Sequence, residues 1–364
     1  MKPGVFGKQW VALLAFLLAC GGEAEDAPAG AGGSGAGEAG AAGGGGGGAG
    51  SGGAGAGAGG SDAGSGGSDA GSGGGSGSGV FACSSGQAIQ PGLNKGWQAG
   101  GKARQFYADF PKETGKPLAV VFLFHGYGDS ASNFRNFGPG PDTDPDFPFV
   151  LITPDDTGLQ PFGDPQGLDW ALFSGKSSEE NIEGALFEEV LGCLGAANTV
   201  DPSRVYVMGF SAGAILSNML YSRYQGKIAA SLAFSGAWFS DPEQTKTINT
   251  LGFAVDYAWD ALAPEASAQG MVLLTHGGPG DTFSAGGQKV IDFELCAQKS
   301  DPFLLASKRS FIDCAHKNGH QPHPEFSKKL MVQYFKAHRA GEPSPYLGGK
   351  LPAEFPSSCA LREP

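Results

Sequence analysis

The stretch Val205-Tyr-Val-Met-Gly-Phe-Ser-Ala-Gly-Ala214 decides the fold. Val205–Met208 is apolar and rich in strand formers, which reads as a short buried strand. Ala212–Tyr224 reads as a helix. Between the two lies Gly209-Phe210-Ser211-Ala212-Gly213, a G-x-S-x-G pentapeptide. In a chain with 64 glycines the pentapeptide alone says little. Its place at a strand-to-helix junction says more. A serine there sits on a tight turn with its hydroxyl held above the ends of the strands. A side chain at Gly209 or Gly213 would crowd the turn or the packing of helix on strand.

Working outward, other apolar runs end in short polar segments. Leu118–Phe124 ends in His125-Gly126-Tyr127-Gly128-Asp129, and Phe149–Thr153 ends in Pro154-Asp155-Asp156. Ile228–Phe234 ends in Ser235-Gly236, and Gly270–Thr275 ends in His276-Gly277. Phe311–Cys314 is a weaker strand before a histidine-rich segment. Glu179–Leu194 and Phe326–His338 have helical spacing. Near-continuous apolar strands alternating with helices indicate an α/β fold: a mostly parallel central sheet with helices on both faces, a three-layer sandwich. Ligand sites in such sheets form at the carboxyl ends of the strands, where these polar segments converge.

A serine hydroxyl needs a base to become a nucleophile, and an imidazole needs a carboxylate to fix its tautomer. Downstream of Ser211, Asp281 in THGGPGDTF follows a strand in a glycine-rich loop and is the first choice for the acid, with Asp301 and Asp313 behind it. His320 in NGHQPHP is the first choice for the base, with His316 and His323 as competitors. His125 and His276 follow strands but stand in the wrong order or role, and His125 reads as a brace for the loop that follows it. The negative charge of a tetrahedral intermediate calls for two backbone N–H donors, here Ala212 and Tyr127. Trp170 and Trp238 are candidate aromatic walls of the substrate pocket, with core packing as the alternative. No cofactor is expected. Cys314, His316, His320 and His323 form the nearest metal-like cluster, but their spacing matches no usual structural zinc pattern.

The residues VFLFHGYGDS, VDPSRVYVMGFSAGAILSNMLYSRY, LLTHGGPGDTF and NGHQPHP resemble α/β-hydrolases of the polyhydroxybutyrate depolymerase and feruloyl esterase type, the carbohydrate esterase 1 group. The resemblance covers most of residues 80–340. It implies the α/β-hydrolase fold and a secreted serine esterase whose triad falls on Ser211, Asp281 and His320, with Tyr127 in the oxyanion loop. It also implies substrates that are esters of hydroxyalkanoates, or feruloyl and acetyl esters of plant polysaccharide. Two departures stand out. His276-Gly-Gly-Pro-Gly-Asp281 is one residue longer than the family's His-Gly-Thr-x-Asp, and Gln321-Pro322-His323-Pro324 follows the base where the family has other residues.

The N-terminus reads as an export signal over residues 1–19, with Lys2 and Lys8 before a short apolar stretch too short to span a bilayer. Leu17-Leu18-Ala19-Cys20 resembles a bacterial lipobox, so Cys20 is expected to carry lipid and hold the protein at a membrane surface of the cell envelope, outside the cytoplasm. Residues 20–79 are almost all Gly, Ala and Ser. They read as a disordered tether with an r.m.s. span of about 40 Å. Residues 80–364 form one catalytic domain. The net charge of -12 argues against a nucleic-acid partner. Of the cysteines after Cys20, the first expectation pairs Cys83 with Cys359 and Cys296 with Cys314, leaving Cys193 free, although sequence does not fix connectivity. A serine peptidase of the same fold and a non-catalytic, surface-anchored binding protein stay open beside the esterase. The acyl group and the oligomeric state stay open as well.

Overall fold

The computed structural model describes residues 81–112, 115–156, 170–172, 181–197, 199–249, 257, 259–264, 270–285 and 287–364. The expected leader, Cys20 and the tether lie outside the described residues.

Eleven strands and six helices follow one another along the described chain. The strands are β1 (Gly92–Ala99), β2 (Lys102–Asp109), β3 (Leu118–Phe124), β4 (Phe149–Pro154), β5 (Val200–Phe210), β6 (Ala230–Phe234), β7 (Met271–His276), β8 (Thr282–Ala285), β9 (Gln288–Asp292), β10 (Phe311–Ala315) and β11 (Cys359–Arg362). The helices are α1 (Ala131–Phe134), α2 (Ile182–Ala196), α3 (Ala212–Arg223), α4 (Pro242–Thr245), α5 (Phe293–Ala306) and α6 (Lys328–Lys336). Nine strands form one sheet in the order β1-β2-β4-β3-β5-β6-β7-β10-β11. From β4 to β10 the neighbours run parallel, while β1, β2 and β11 add antiparallel edges.

Every residue of β3, β4, β6 and β7 is buried, as expected for strands covered on both faces. One core carries Phe122, Leu186, Ile215 and Leu304, which places α2, α3 and α5 on one face. The other carries Leu123, Phe134, Leu330 and Phe335, which places α1 and α6 on the opposite face. Alternate residues of β3, Phe122 and Leu123, thus enter different cores, as the two-residue period of a strand requires. Burying some 25 cal/mol per Å2 of apolar surface on both faces is what makes this sheet a rigid platform.

The disulfides correct the expected pairing. Cys83 is bonded to Cys193 and Cys314 to Cys359, and among the described residues Cys296 is the free, buried thiol. The reason is strand register. β11 adds antiparallel to β10 with Cys359 directly opposite Cys314, at a Cα separation of 4.0 Å. Cys296 faces the core from α5 instead. At the other end, Glu189 of α2 accepts the backbone N–H groups of Ser84 and Ser85 and brings Cys83 to Cys193, one turn further along the helix. Two disulfides fit a protein that folds in an oxidising compartment.

Candidate active site

The topology brings five strand ends side by side. β3, β5, β6, β7 and β10 are consecutive parallel neighbours, and each ends in a polar segment at the same edge of the sheet. Ser211 follows β5, Ser235 follows β6, Asp281 lies in the turn after β7, and His320 lies in the loop after β10. The loop of Gly126 and Tyr127 follows β3.

Ser211 caps the N-terminus of α3 with φ 56° and ψ -120°, a backbone conformation that non-glycine residues rarely adopt. Its N–H donates to the Phe234 carbonyl of β6 at 2.9 Å, which fixes the turn to the neighbouring strand. The flanking glycines are sterically required. A methyl group on Gly209 would stand 2.4 Å from the Gly213 backbone, and one on Gly213 would stand 2.2 Å from the Phe124 carbonyl oxygen. This close approach seats the start of α3 directly on β3.

His320 Nε2 lies 2.9 Å from Ser211 Oγ, and His320 Nδ1 lies 2.6 Å from Asp281 Oδ1. Asp281 is fully buried. Its Oδ2 accepts from Ser235 Oγ at 2.8 Å and from the Gly277 N–H at 2.7 Å. With every neighbour a donor, the carboxylate fixes the proton on Nδ1 and leaves Nε2 as an acceptor facing the serine hydroxyl. The imidazole packs against Phe293, with ring centroids 4.6 Å apart and planes 9° apart, and against Phe210 at 4.8 Å. Those apolar walls hold the ring while leaving its edge turned to Ser211.

The first-choice residues Ser211, Asp281 and His320 therefore meet, and the competitors lie elsewhere. Asp313 is 3.2 Å from His276 Nε2. Asp301 is on α5, and its buried Oδ1 makes no hydrogen bond. His316 Nδ1 accepts from the Asn318 N–H, and His323 Nε2 lies 3.2 Å from Ser358 Oγ. Burial lowers the pKa of both imidazoles. Cys314 is committed to its disulfide, which removes the thiolate from the metal-like cluster.

The loop after β3 passes beside the serine: a methyl group on Gly126 would lie 3.5 Å from Ser211 Cβ. His125 is buried below it and meets the Gly126 carbonyl at 2.9 Å. Tyr127 is exposed, with its ring 5.4 Å from that of Phe283. Ala212 is the first residue of α3, so its N–H has no carbonyl one turn earlier within the helix. Of the two readings open for Trp170 and Trp238, pocket wall and core packing, both residues take the second. Both are fully buried, Trp170 donating to the His125 carbonyl and Trp238 packing against Tyr221 and Phe303.

A strained serine between a central parallel strand and a buried helix, with an acid and a histidine from the next strand ends, is the decisive arrangement. The chain has the α/β-hydrolase fold. Residues 111–257 match the family model described as phospholipase/carboxylesterase. Feruloyl esterase B of Talaromyces stipitatus is 28% identical over 161 residues, which cover 44% of this chain and 42% of that protein. The match thus spans less than half of either. Among solved structures, a pOPH variant in complex with DMSO aligns with a TM-score of 0.60 at 17% identity, over 78% of this chain and 96% of its own. Native sOPH aligns with a TM-score of 0.57 at 17% identity, over 78% and 97%. These two likenesses concern the fold.

Ser235, Phe293 and Phe210 touch the Ser211–His320–Asp281 group, and the sequence alone gives them no role there. Ser235 carried a signal, since it follows β6 as Ser211 follows β5, and it too has a positive φ, of 55°. Phe293 carried none, because its contact with His320 depends on how the β8–β9 hairpin returns the chain to Asp281.

Proposed function

We propose that this α/β-hydrolase is a serine esterase that cleaves carboxylic esters through an acyl-enzyme, outside the cytoplasm. The observation that carries the reading is the unbroken line from Asp281 through His320 to Ser211, at 2.6 Å and 2.9 Å. In this reading Ser211 Oγ attacks the ester carbonyl carbon as His320 Nε2 takes its proton. The carbonyl oxygen becomes an oxyanion that accepts from the Ala212 and Tyr127 backbone N–H groups. The carbon–oxygen bond to the alcohol then breaks, and His320 returns the proton to the departing alkoxide. Water attacks the acyl-serine with His320 again taking a proton. The acid leaves, and Ser211 recovers its hydrogen. Asp281 holds the imidazole and stabilises its cation throughout.

The related feruloyl esterase B supports testing hydroxycinnamoyl esters first, beside acetyl esters of polysaccharide and hydroxyalkanoate oligomers. The proposed layout is a leader over residues 1–19, lipid on Cys20, a tether over residues 20–79 and the esterase domain over residues 80–364. A lipid on Cys20 would hold the enzyme at an envelope surface with reach set by the tether.

The test is hydrolysis of a short-chain p-nitrophenyl ester by the wild type beside Ser211→Ala, with a fluorophosphonate probe in parallel. Turnover and labelling are expected in the wild type alone. Equal turnover in both proteins sinks the reading, and a wild type with neither turnover nor labelling points to a binding protein. Loss of radiolabelled palmitate in Cys20→Ala checks the anchor.

A further inference from the structure

Beside the Asp281–His320 pair stands a second group of acids around a histidine. His276 closes β7 and is buried. Its Nδ1 lies 2.5 Å from Glu294 Oε2, in the first turn of α5. Its Nε2 lies 3.2 Å from Asp313 Oδ1 on β10. Beyond Asp313, at 3.8 Å, is Arg362 of β11. His316 and His323 both feel the charge of His276, and Asp281 and Glu294 act in turn on His316. A ring with a carboxylate at each nitrogen satisfies both only when both nitrogens carry hydrogen, as a cation.

The backbone around this ring joins the two working loops. Glu294 Oε2 also accepts the Gly278 N–H at 3.0 Å, and Gly278 is part of the turn whose Gly277 N–H holds Asp281. The His276 carbonyl accepts from the His316 N–H at 2.8 Å, and the Gly277 carbonyl accepts from the Gly319 N–H at 2.9 Å. Gly319 immediately precedes His320. His276–Gly278 is thus a strut with the acid's turn on one side and the base's loop on the other.

We infer that His276 is a positioning residue, an imidazolium that clamps Glu294 and Asp313 and so keeps the loops of Asp281 and His320 in register. This rests on the serine-esterase reading above. When His276 loses its proton, one carboxylate loses its donor, Glu294 and Asp313 are no longer held by one charge, and the turn anchored on Glu294 loosens. Burial pulls the His276 pKa down, but hydrogen bonds and charge from Asp313 and Glu294 outweigh it and raise it to about 9. The clamp is closed at neutral pH and opens in the alkaline range.

The test is the second-order rate of fluorophosphonate labelling of the full chain from pH 6 to pH 11, for the wild type, His276→Gln and Glu294→Gln, with folding of each followed by circular dichroism. A label rate needs no knowledge of the natural ester. The wild-type rate is expected to fall near pH 9. His276→Gln is expected to label about tenfold more slowly at pH 7, as for a modest misalignment of the base, and without that alkaline step. Glu294→Gln is expected to move the step to lower pH by weakening the hold on the proton. A wild-type rate that stays level through pH 10 overturns the inference without any variant. So does a His276→Gln protein with the wild-type rate and profile. A wild type that never labels overturns the serine reading instead, which keeps the two failures apart.

Discussion

His276 at the end of β7 and His320 in the loop after β10 both meet a carboxylate, yet their surroundings suit them to opposite work in the proposed reaction. His320 has one carboxylate, at Nδ1, while its other nitrogen faces a hydroxyl and its ring leans on Phe293 and Phe210. His276 has a carboxylate at each nitrogen. A ring with one anionic neighbour retains an open acceptor and can take up and return a proton. A ring between two is held as a cation and has nothing left to accept with. In the proposed reaction, the count of acids around an imidazole, more than its burial, is what would separate a proton carrier from a strut.

The sharpest way to break the comparison is to remove each ring in turn. His320→Gln is expected to lower kcat on a p-nitrophenyl ester by on the order of ten-thousand-fold or more, because the serine loses its base. Asp281→Asn is expected to cost about ten-thousand-fold, by presenting the wrong tautomer to Ser211. If either costs as little as His276→Gln, the assignment of base and strut fails. Next is Gly277→Ala. Its new methyl group would stand 1.9 Å from the Gly319 carbonyl oxygen, so the two loops must separate. A displacement of this kind is expected to cost about a hundredfold in kcat with little change in KM. An unchanged kcat would show that the loops move independently. Ser235→Ala removes one of the donors to Asp281 Oδ2 but leaves Gly277 N–H. A charge-assisted hydrogen bond of about 1.5 kcal/mol corresponds to roughly a tenfold loss. Steady-state rates on a single ester decide all of these.

Much of this arrangement is legible in the sequence. The strands before Ser211 and Asp281 hold continuous apolar runs, the one before His320 is weaker because Asp313 interrupts it, and their order places the polar ends together. The β3 and α3 boundaries match the sequence reading to within a residue. What stayed hidden depends on register or on long-range return of the chain. Cys314 meets Cys359 because β11 turns back antiparallel on β10, and no local pattern in Cys359–Arg362 announces a strand. β1 mixes glycine, lysine and asparagine and shows no clean alternation. α5 contains Pro302 and so lacks an uninterrupted helical signature, although it delivers Phe293 and Glu294 to the two histidines. Trp170 and Trp238 follow strand ends as pocket residues would, and only packing shows them turned inward.

The smallest expected effect concerns stability rather than rate, and its sign differs between two buried histidines. His276 has a pKa raised from 6.5 to about 9, so the folded state binds its proton more tightly than the unfolded chain. Its contribution is fully present below 6.5 and is lost as pH rises through about 9. His338, near the end of α6, is the reverse case. Burial lowers its pKa to about 4, and it sits neutral between the Tyr334 carbonyl and Ser344 Oγ. Its contribution is present above 6.5 and is lost as pH falls toward 4. Thermal unfolding followed across pH 4 to pH 10 should therefore show a Tm plateau bounded by one histidine on each side. His276→Gln is expected to flatten the alkaline flank and leave the acid flank in place, and His338→Gln the opposite. A His276→Gln protein whose Tm declines above pH 8 as steeply as the wild type's would mean that the two carboxylates do not hold His276 as a cation, and the contrast with His320 would lose its basis.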